Sequence, residues 1–281
     1  MRGSAMCGVE RGEERLLTIS AVSYLNTVPM VYGIDKAVGG SVGGALEGAV
    51  KQLVGVRLAL SPPRGCAGAF ASGGAQVALL PSAALLDLPR SRIVTDYCIG
   101  ASGDVRTVVI VSDSPIEKVR RLYLDSHSLT SVALSAILCR ELWRIAPERV
   151  PMGDMALLPK AMDTAELGDA FLLIGDKVFD HEGCFAHSYD LARGWRELTG
   201  LPFVFAVWVA DESVDEGFIG ELNAALAYGV KHIPQAVAAS AHAAKEYAVE
   251  YLTRNIDFCL DEAKRRSLAL FLEKAVQNIT E

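Results

Sequence analysis

The chain has no run of uncharged apolar residues long enough to cross a membrane, so no membrane span and no membrane partner are expected. It has no basic excess: 27 Lys and Arg stand against 34 Asp and Glu, a net charge of −7. A surface that holds nucleic-acid phosphates needs local positive charge, so no nucleic-acid partner is expected. A small anion needs only a few local donors and is still admissible. Residues 1–15 have no apolar stretch. Arg2, Arg11 and Arg15 alternate with Glu10, Glu13 and Glu14, which reads as a tail and not as a secretory signal. A cytoplasmic location is the expectation. The six cysteines include no C-x-x-C pair, and in that compartment they read as reduced, buried small side chains. The five histidines form no metal-binding or catalytic set, so neither a metal nor another cofactor is expected. No G-x-S-x-G, Walker A or G-x-G-x-x-G pattern stands between a strand and a helix.

At 281 residues, with 51% hydrophobic and 22% charged residues, the chain can bury a large core and fill two lobes. Short apolar runs at Leu16–Leu25, Val56–Leu60 and Gln76–Leu80 predict strands, each stopped by small polar residues or proline. Gly39–Gly44 reads as a surface loop. The alternation with helical segments implies a parallel sheet that binds ligand at its strand C-termini. Further strands are predicted at Thr107–Ser112, Arg121–Leu124, Asp169–Ile174 and Phe203–Ala210. Helices are predicted at Thr130–Trp143, Glu216–His232, Ala236–Leu252 and Asp261–Val276.

The most informative stretch is Ile19–Pro29, ISAVSYLNTVP. An apolar run ends abruptly in Ser23, Tyr24, Asn26 and Thr27. These supply hydroxyls, a phenol and an amide, none of them charged at neutral pH. That set suits a polar organic ligand better than a metal. It also suits a strand followed by a capped helix, with Asn26 or Thr27 as the cap and Pro29 just inside.

The same stretch resembles the opening motif of the chorismate dehydratases, the first enzymes of the futalosine route to menaquinone. Five more stretches fit in the same order: Val77–Ser82, Ser91–Gly100, Leu124-Asp125 with Thr130-Ser131, Leu172–Asp176, and Tyr189–Leu191 through Trp195 to Thr199–Trp208. Together they span about residues 17 to 233. The resemblance implies an α/β fold of the periplasmic-binding-protein type II kind, two lobes with a central cleft. It places the lobes at 16–98 with 201–281, and at 99–200. The chain would cross near Asp96–Gly103 and near Thr199–Pro202.

The resemblance also implies the chemistry. Chorismate, a small dianion, would lose water and become 3-[(1-carboxyvinyl)oxy]benzoate. Aromatisation drives the step, so neither metal nor redox cofactor is called for. Asn26 matches the position tied to catalysis. Ser23, Tyr24, Thr27, Ser82, Thr107, Thr130, Ser131 and Asp176 are the expected substrate contacts, with Thr130 and Ser131 at a helix start where carboxylates bind. Asp176 fits a helix cap equally well. Family members usually carry an Arg just before the Thr-Ser pair; here it is Leu129, with His127 as a candidate substitute. Trp195 and Trp208 read as core. The alternative is a non-catalytic intracellular binding protein for a carboxylate-bearing small molecule. The dihydroxynaphthoate synthases of the same pathway share the fold but differ in the opening motif.

Overall fold

A computed structural model describes residues 16–39, 53–88, 91–125, 128–152, 162, 165–242 and 245–279. The expectations for the 1–15 tail, most of the Gly-rich loop and His127 lie outside these residues.

The first strands are β1 (Leu17–Val22), β2 (Val56–Ser61), β3 (Val77–Pro81) and β4 (Arg92–Ala101). A second set follows: β5 (Val108–Ser112), β6 (Arg121–Asp125), β7 (Glu148–Met152), β8 (Asp169–Ile174) and β9 (His187–Asp190). The chain then returns with β10 (Phe203–Ala210) and β11 (Asp257–Cys259). Among the described residues these build two sheets. One has the order β11-β4-β10-β3-β1-β2 and the other β7-β6-β8-β5-β9.

The parallel arrangement predicted for the first three strands is present: β1 pairs in parallel with both β2 and β3. The sheet as a whole is mixed. β10, read from a distant part of the sequence, inserts antiparallel between β3 and β4. Its residues are nearly all buried, as befits a strand covered on both faces. β4 is not among the strands expected from the sequence, where its second half falls in the expected crossing Asp96–Gly103. Gly100 is small because the space is small. A Cβ on Gly100 would sit 3.0 Å from the Asp257 carbonyl oxygen and 3.1 Å from the Lys264 side chain. The first change of sheet therefore falls between Ala101 and Val108, beyond most of the Asp96–Gly103 segment.

Among the described residues the early helices are α1 (Val28–Gly39), α2 (Pro63–Ala71), α3 (Leu129–Glu141) and α4 (Lys177–Asp180). Then come α5 (Leu191–Thr199), α6 (Glu216–Lys231), α7 (Ile233–Ala238), α8 (Tyr247–Arg254) and α9 (Glu262–Ile279). Local chemistry sets several ends. Ser128 caps α3 by accepting from the Ser131 N–H, and Asp190 caps α5 by accepting from Ala192 and Arg193. α5 stops at Gly200 in the left-handed conformation, φ 74°. The single helix expected over Ala236–Leu252 is two. Ser240 breaks it: its hydroxyl donates to the Val237 carbonyl and accepts from the His242 N–H, a side-chain substitute for helical bonding.

Several contacts join the two lobes behind the cleft. Trp195, wholly buried, donates its indole N–H to Ser267 on α9 at 2.9 Å. Its ring meets Phe203 and Phe271 edge-on at 5.4 and 6.1 Å. Burying such a ring contributes roughly 1.5–3 kcal/mol. Lys274 on α9 pairs with Glu141 at the end of α3, 2.5 Å away. The last helix thus fastens to both sheets' layers.

Candidate functional site

The ends of β1, β3 and β8, the link before β5, and the start of α3 surround one cavity of roughly 640 Å³, open solvent at its mouth included. Asn26, Tyr24 and Thr27 come from the segment after β1. Thr107 comes from the link between the sheets, and Ser128 and Ser131 from the start of α3. Phe205, Ile99 and Leu79 give the apolar wall. Among the described residues, the cavity lining contains no Lys, Arg, Asp, Glu or His. Its polarity comes from hydroxyls, one amide and the first turn of α3. That turn directs backbone N–H groups and a partial positive charge at its surroundings. This arrangement can hold a carboxylate beside an apolar ring.

The structure separates the expected residues into three groups. Tyr24, Asn26, Thr27, Thr107 and Ser131 line the cavity together. Of these, Thr27 is 2% exposed, and its hydroxyl is directed at the Val22 and Tyr24 carbonyl oxygens, 2.6 and 2.7 Å away. It shapes the turn that presents Asn26.

Ser82 and Thr130 do not line the cavity. Ser82 is fully buried and donates to the Val204 carbonyl at 2.7 Å. Thr130 accepts from the Ala83 N–H at 3.1 Å and donates to the Phe205 carbonyl at 3.3 Å. Both hydroxyls are used where loop, helix and β10 meet, because buried backbone groups there need partners.

Ser23 and Asp176 lie to the side. Ser23 points into a second, adjoining cavity of roughly 870 Å³, which shares Tyr24 and Thr27 with the first and includes Lys36 and His242. Asp176 accepts from Lys245 at 3.2 Å, and His242 Nδ1 stands 3.3 Å away without hydrogen-bond geometry. Asp176 lies outside the lining while its neighbour Gly175 is in it. It makes no cap bond to α4.

Leu129, where relatives have Arg, is the first residue of α3 and 38% exposed. Of the cysteines, Cys66, Cys98 and Cys139 are buried as expected, whereas Cys184 and Cys259 are exposed on loop and edge-strand positions. No group of three His, Cys, Asp or Glu side chains suited to a metal occurs among the described residues. No described helix is long and apolar enough to cross a membrane.

Burial raises the Tyr24 phenol above its usual 10.0, and the negative charges of Asp125 and Asp176 raise it further. Tyr24 therefore keeps its proton at neutral pH and is a donor. Lys177 pairs with Asp125, and Lys245 with Asp176, so both carboxylates near Tyr24 are compensated.

Two contributors were missed in the sequence. Ser128, just ahead of the helix expected from Thr130, both caps α3 and lines the cavity. Tyr251 lies beyond the resembling stretch, in what looked like an ordinary amphipathic helix. It is 1% exposed, and its hydroxyl is 2.7 Å from Thr107 Oγ1.

Two lobes of α/β structure, joined by a pair of crossings with a cleft between them, define the periplasmic-binding-protein fold. Solved structures agree. Protein AF1704 from Archaeoglobus fulgidus superposes with a TM-score of 0.70 at 14% identity, over 94% of this chain and 98% of that one. The periplasmic aliphatic sulphonate binding protein SsuA from Escherichia coli gives 0.60 at 15% identity, over 94% and 91%. The Candida albicans CA3427 product, described as having the generic periplasmic binding protein fold, gives 0.58 at 10% identity, over 94% of each chain. At these identities the likeness is one of fold. The sequence goes further: residues 17–277 match the family described as "Menaquinone biosynthesis", and the chain belongs to that family.

Proposed function

We propose that this protein is a chorismate dehydratase. It converts chorismate to 3-[(1-carboxyvinyl)oxy]benzoate and water, in the futalosine route to menaquinone. It works as a cytoplasmic hydro-lyase without cofactor. The observation that carries this reading is the position of Asn26. It faces a cleft cavity shared with Thr107 and the first turn of α3, a set of neutral donors around an apolar wall.

The reaction breaks one ring C–H bond and one ring C–OH bond. The C–H electron pair enters the ring, hydroxide departs, and with the released proton it leaves as water. Negative charge that builds on the ring can spread to the ring carboxylate. Fixed donors aimed at that charge lower the barrier, because they need no reorganisation when it appears. In this reading the start of α3, with Ser131, holds the ring carboxylate. Asn26 bonds the reacting edge without adding a charge of its own. Tyr24 donates to the second carboxylate. Among the described residues the lining supplies no acidic or basic side chain, which fits a substrate that takes up the proton on its own enolpyruvyl carboxylate.

Purified protein mixed with chorismate tests this directly: an aromatic product, lighter by one water, appears by absorbance and mass. Chorismate that binds but is recovered unchanged would instead favour the binding-protein reading. Asn26→Asp sharpens the test. It is nearly isosteric, yet it sets a negative charge beside a dianion, and losing a bond to a charged partner alone costs roughly 1.5–3 kcal/mol. The expected rate loss is about 10²-fold, since each ~1.4 kcal/mol is tenfold. A variant as fast as the parent, with a matched melting curve, removes Asn26 from the reaction.

A further inference from the structure

The cavity that Asn26 lines adjoins the second one, of roughly 870 Å³, and Val22, Tyr24 and Thr27 belong to the walls of both. The two linings differ in charge. Among the described residues the first contains no charged side chain, whereas the second contains Asp35, Lys36 and His242. α1 forms one side of the second cavity, and α7 with the residues after it forms the other.

Lys36 stands in the last turn of α1. Its ammonium lies over the Tyr32 ring, 5.3 Å from the centroid, and Tyr32 lines the same cavity. Among the described residues no carboxylate pairs with this ammonium. Asp35 precedes it, about 100° round the helix, and is exposed where Lys36 is half-buried. The carboxylate next to His242, that of Asp176, is paired with Lys245. His242 Nδ1 is buried without a hydrogen-bond partner. Tyr24, at the boundary between the cavities, keeps its proton and can donate to either side. The second cavity thus offers an ammonium outside any ion pair, a phenol and the Ser23 hydroxyl.

A dianion that sets one carboxylate at the start of α3 must place the other. An ionised carboxylate against neutral, apolar walls is costly, and one beside an ammonium is not. We infer that the second cavity is the subsite for the second carboxylate of a cyclic diacid, with Lys36 as its cation. The ring occupies the first cavity, the arm passes Tyr24, and its carboxylate meets Lys36. Lys36 is then a specificity-determining residue, which selects a diacid over a monoacid of the same ring size. This deepens the reading of the first cavity as the chorismate site and rests on it, but the preference for a diacid can be measured without turnover.

The test compares two probes by calorimetry: benzoate, with one carboxylate, and 3-carboxyphenoxyacetate, an aromatic diacid with an ether-linked arm. The parent should bind the diacid more tightly. Lys36→Met keeps the length of the side chain and removes its charge. It should weaken the diacid about tenfold, the size of one contact to a charged group at a half-open site, and leave benzoate unchanged. Lys36→Arg should restore most of the loss. If Lys36→Met does not fold, Lys36→Gln takes its place with the same expectation. A merely structural Lys36, closing α1 or resting on Tyr32, would not distinguish the two probes. Equal losses for both probes therefore overturn the inference, and so does a diacid affinity that the substitution leaves intact. With chorismate, Lys36→Met should raise KM about tenfold at nearly constant kcat, as for a contact made equally in the ground and transition states. A fall in kcat at constant KM would overturn the subsite. A parent that prefers the diacid through Lys36 but leaves chorismate unchanged refutes the proposed reaction and keeps the subsite. A parent that binds neither probe overturns the subsite.

Discussion

Gly33 in α1 and Gly229 in α6 are where the two helices touch backbone to backbone. A Cβ on Gly229 would lie 1.9 Å from the Pro29 carbonyl oxygen and 2.9 Å from the Gly33 nitrogen. A Cβ on Gly33 would lie 2.0 Å from the Ala225 carbonyl oxygen. Contacts under about 3 Å are not tolerated, and the obstructing atoms are backbone, so no rotamer change relieves them. Gly229→Ala must push the helices apart by about 1 Å or more and lose dispersion contacts along the crossing. A backbone overlap this deep falls at the upper end of the overpacking cost, about 2–3 kcal/mol. It outweighs the ~1 kcal/mol that alanine gains over glycine inside a helix. At 2–4 °C per kcal/mol for a chain of this size class, the melting temperature should fall by roughly 2–8 °C.

Gly220 in the same helix is the control. It is exposed and nothing lies within 4 Å of its Cβ position, so Gly220→Ala should hold or raise the melting temperature. Because α1 begins just after Asn26, Gly229→Ala should also weaken turnover. The assay is thermal unfolding of parent and both variants in one buffer. If Gly229→Ala melts at or above the parent, as Gly220→Ala does, the close crossing is wrong.

Thr130→Val should cost stability, about 1–3 kcal/mol for the buried Ala83 N–H left without its partner. It should change chorismate turnover far less than Ser131→Ala, whose hydroxyl lines the cavity; a pure loss of turnover in Thr130→Val at full stability would reverse those roles. Burial pushes the Glu141 carboxyl up, but Lys274 and Arg140 outweigh this and leave it below its usual 4.5. A lowered carboxyl stabilises the fold above the unfolded value and stops doing so as pH falls through the folded one. The melting-temperature gap between parent and Glu141→Gln should therefore be widest near neutrality and close on acidification below 4.5; a gap that does not change with pH would contradict the pairing.

The sequence by itself determined the alternation of apolar runs and stops that became β1, β2, β3, β5, β6, β8 and β10, since a strand's burial is written in its own residues. It determined the α3 start near Thr130-Ser131 and the cluster after β1, since caps and turns depend on near neighbours. It also carried the family, through six short matches in order. It did not show that Gly100 and Ala101 continue a strand, because the space at Gly100 is set by Asp257, Lys264 and Phe203, which lie far along the chain. Nor did it show which of these residues reach the cavity. Ser82, Thr130, Ser131 and Thr107 look alike on paper. Only the packed structure assigns Ser82 and Thr130 to backbone partners and leaves Ser131 and Thr107 at the cavity. Tyr251 was beyond reach for the same reason. A phenol in a helix is ordinary until folding sets its hydroxyl 2.7 Å from Thr107, and hydrogen-bond partners are chosen by distance in space, which sequence separation does not encode.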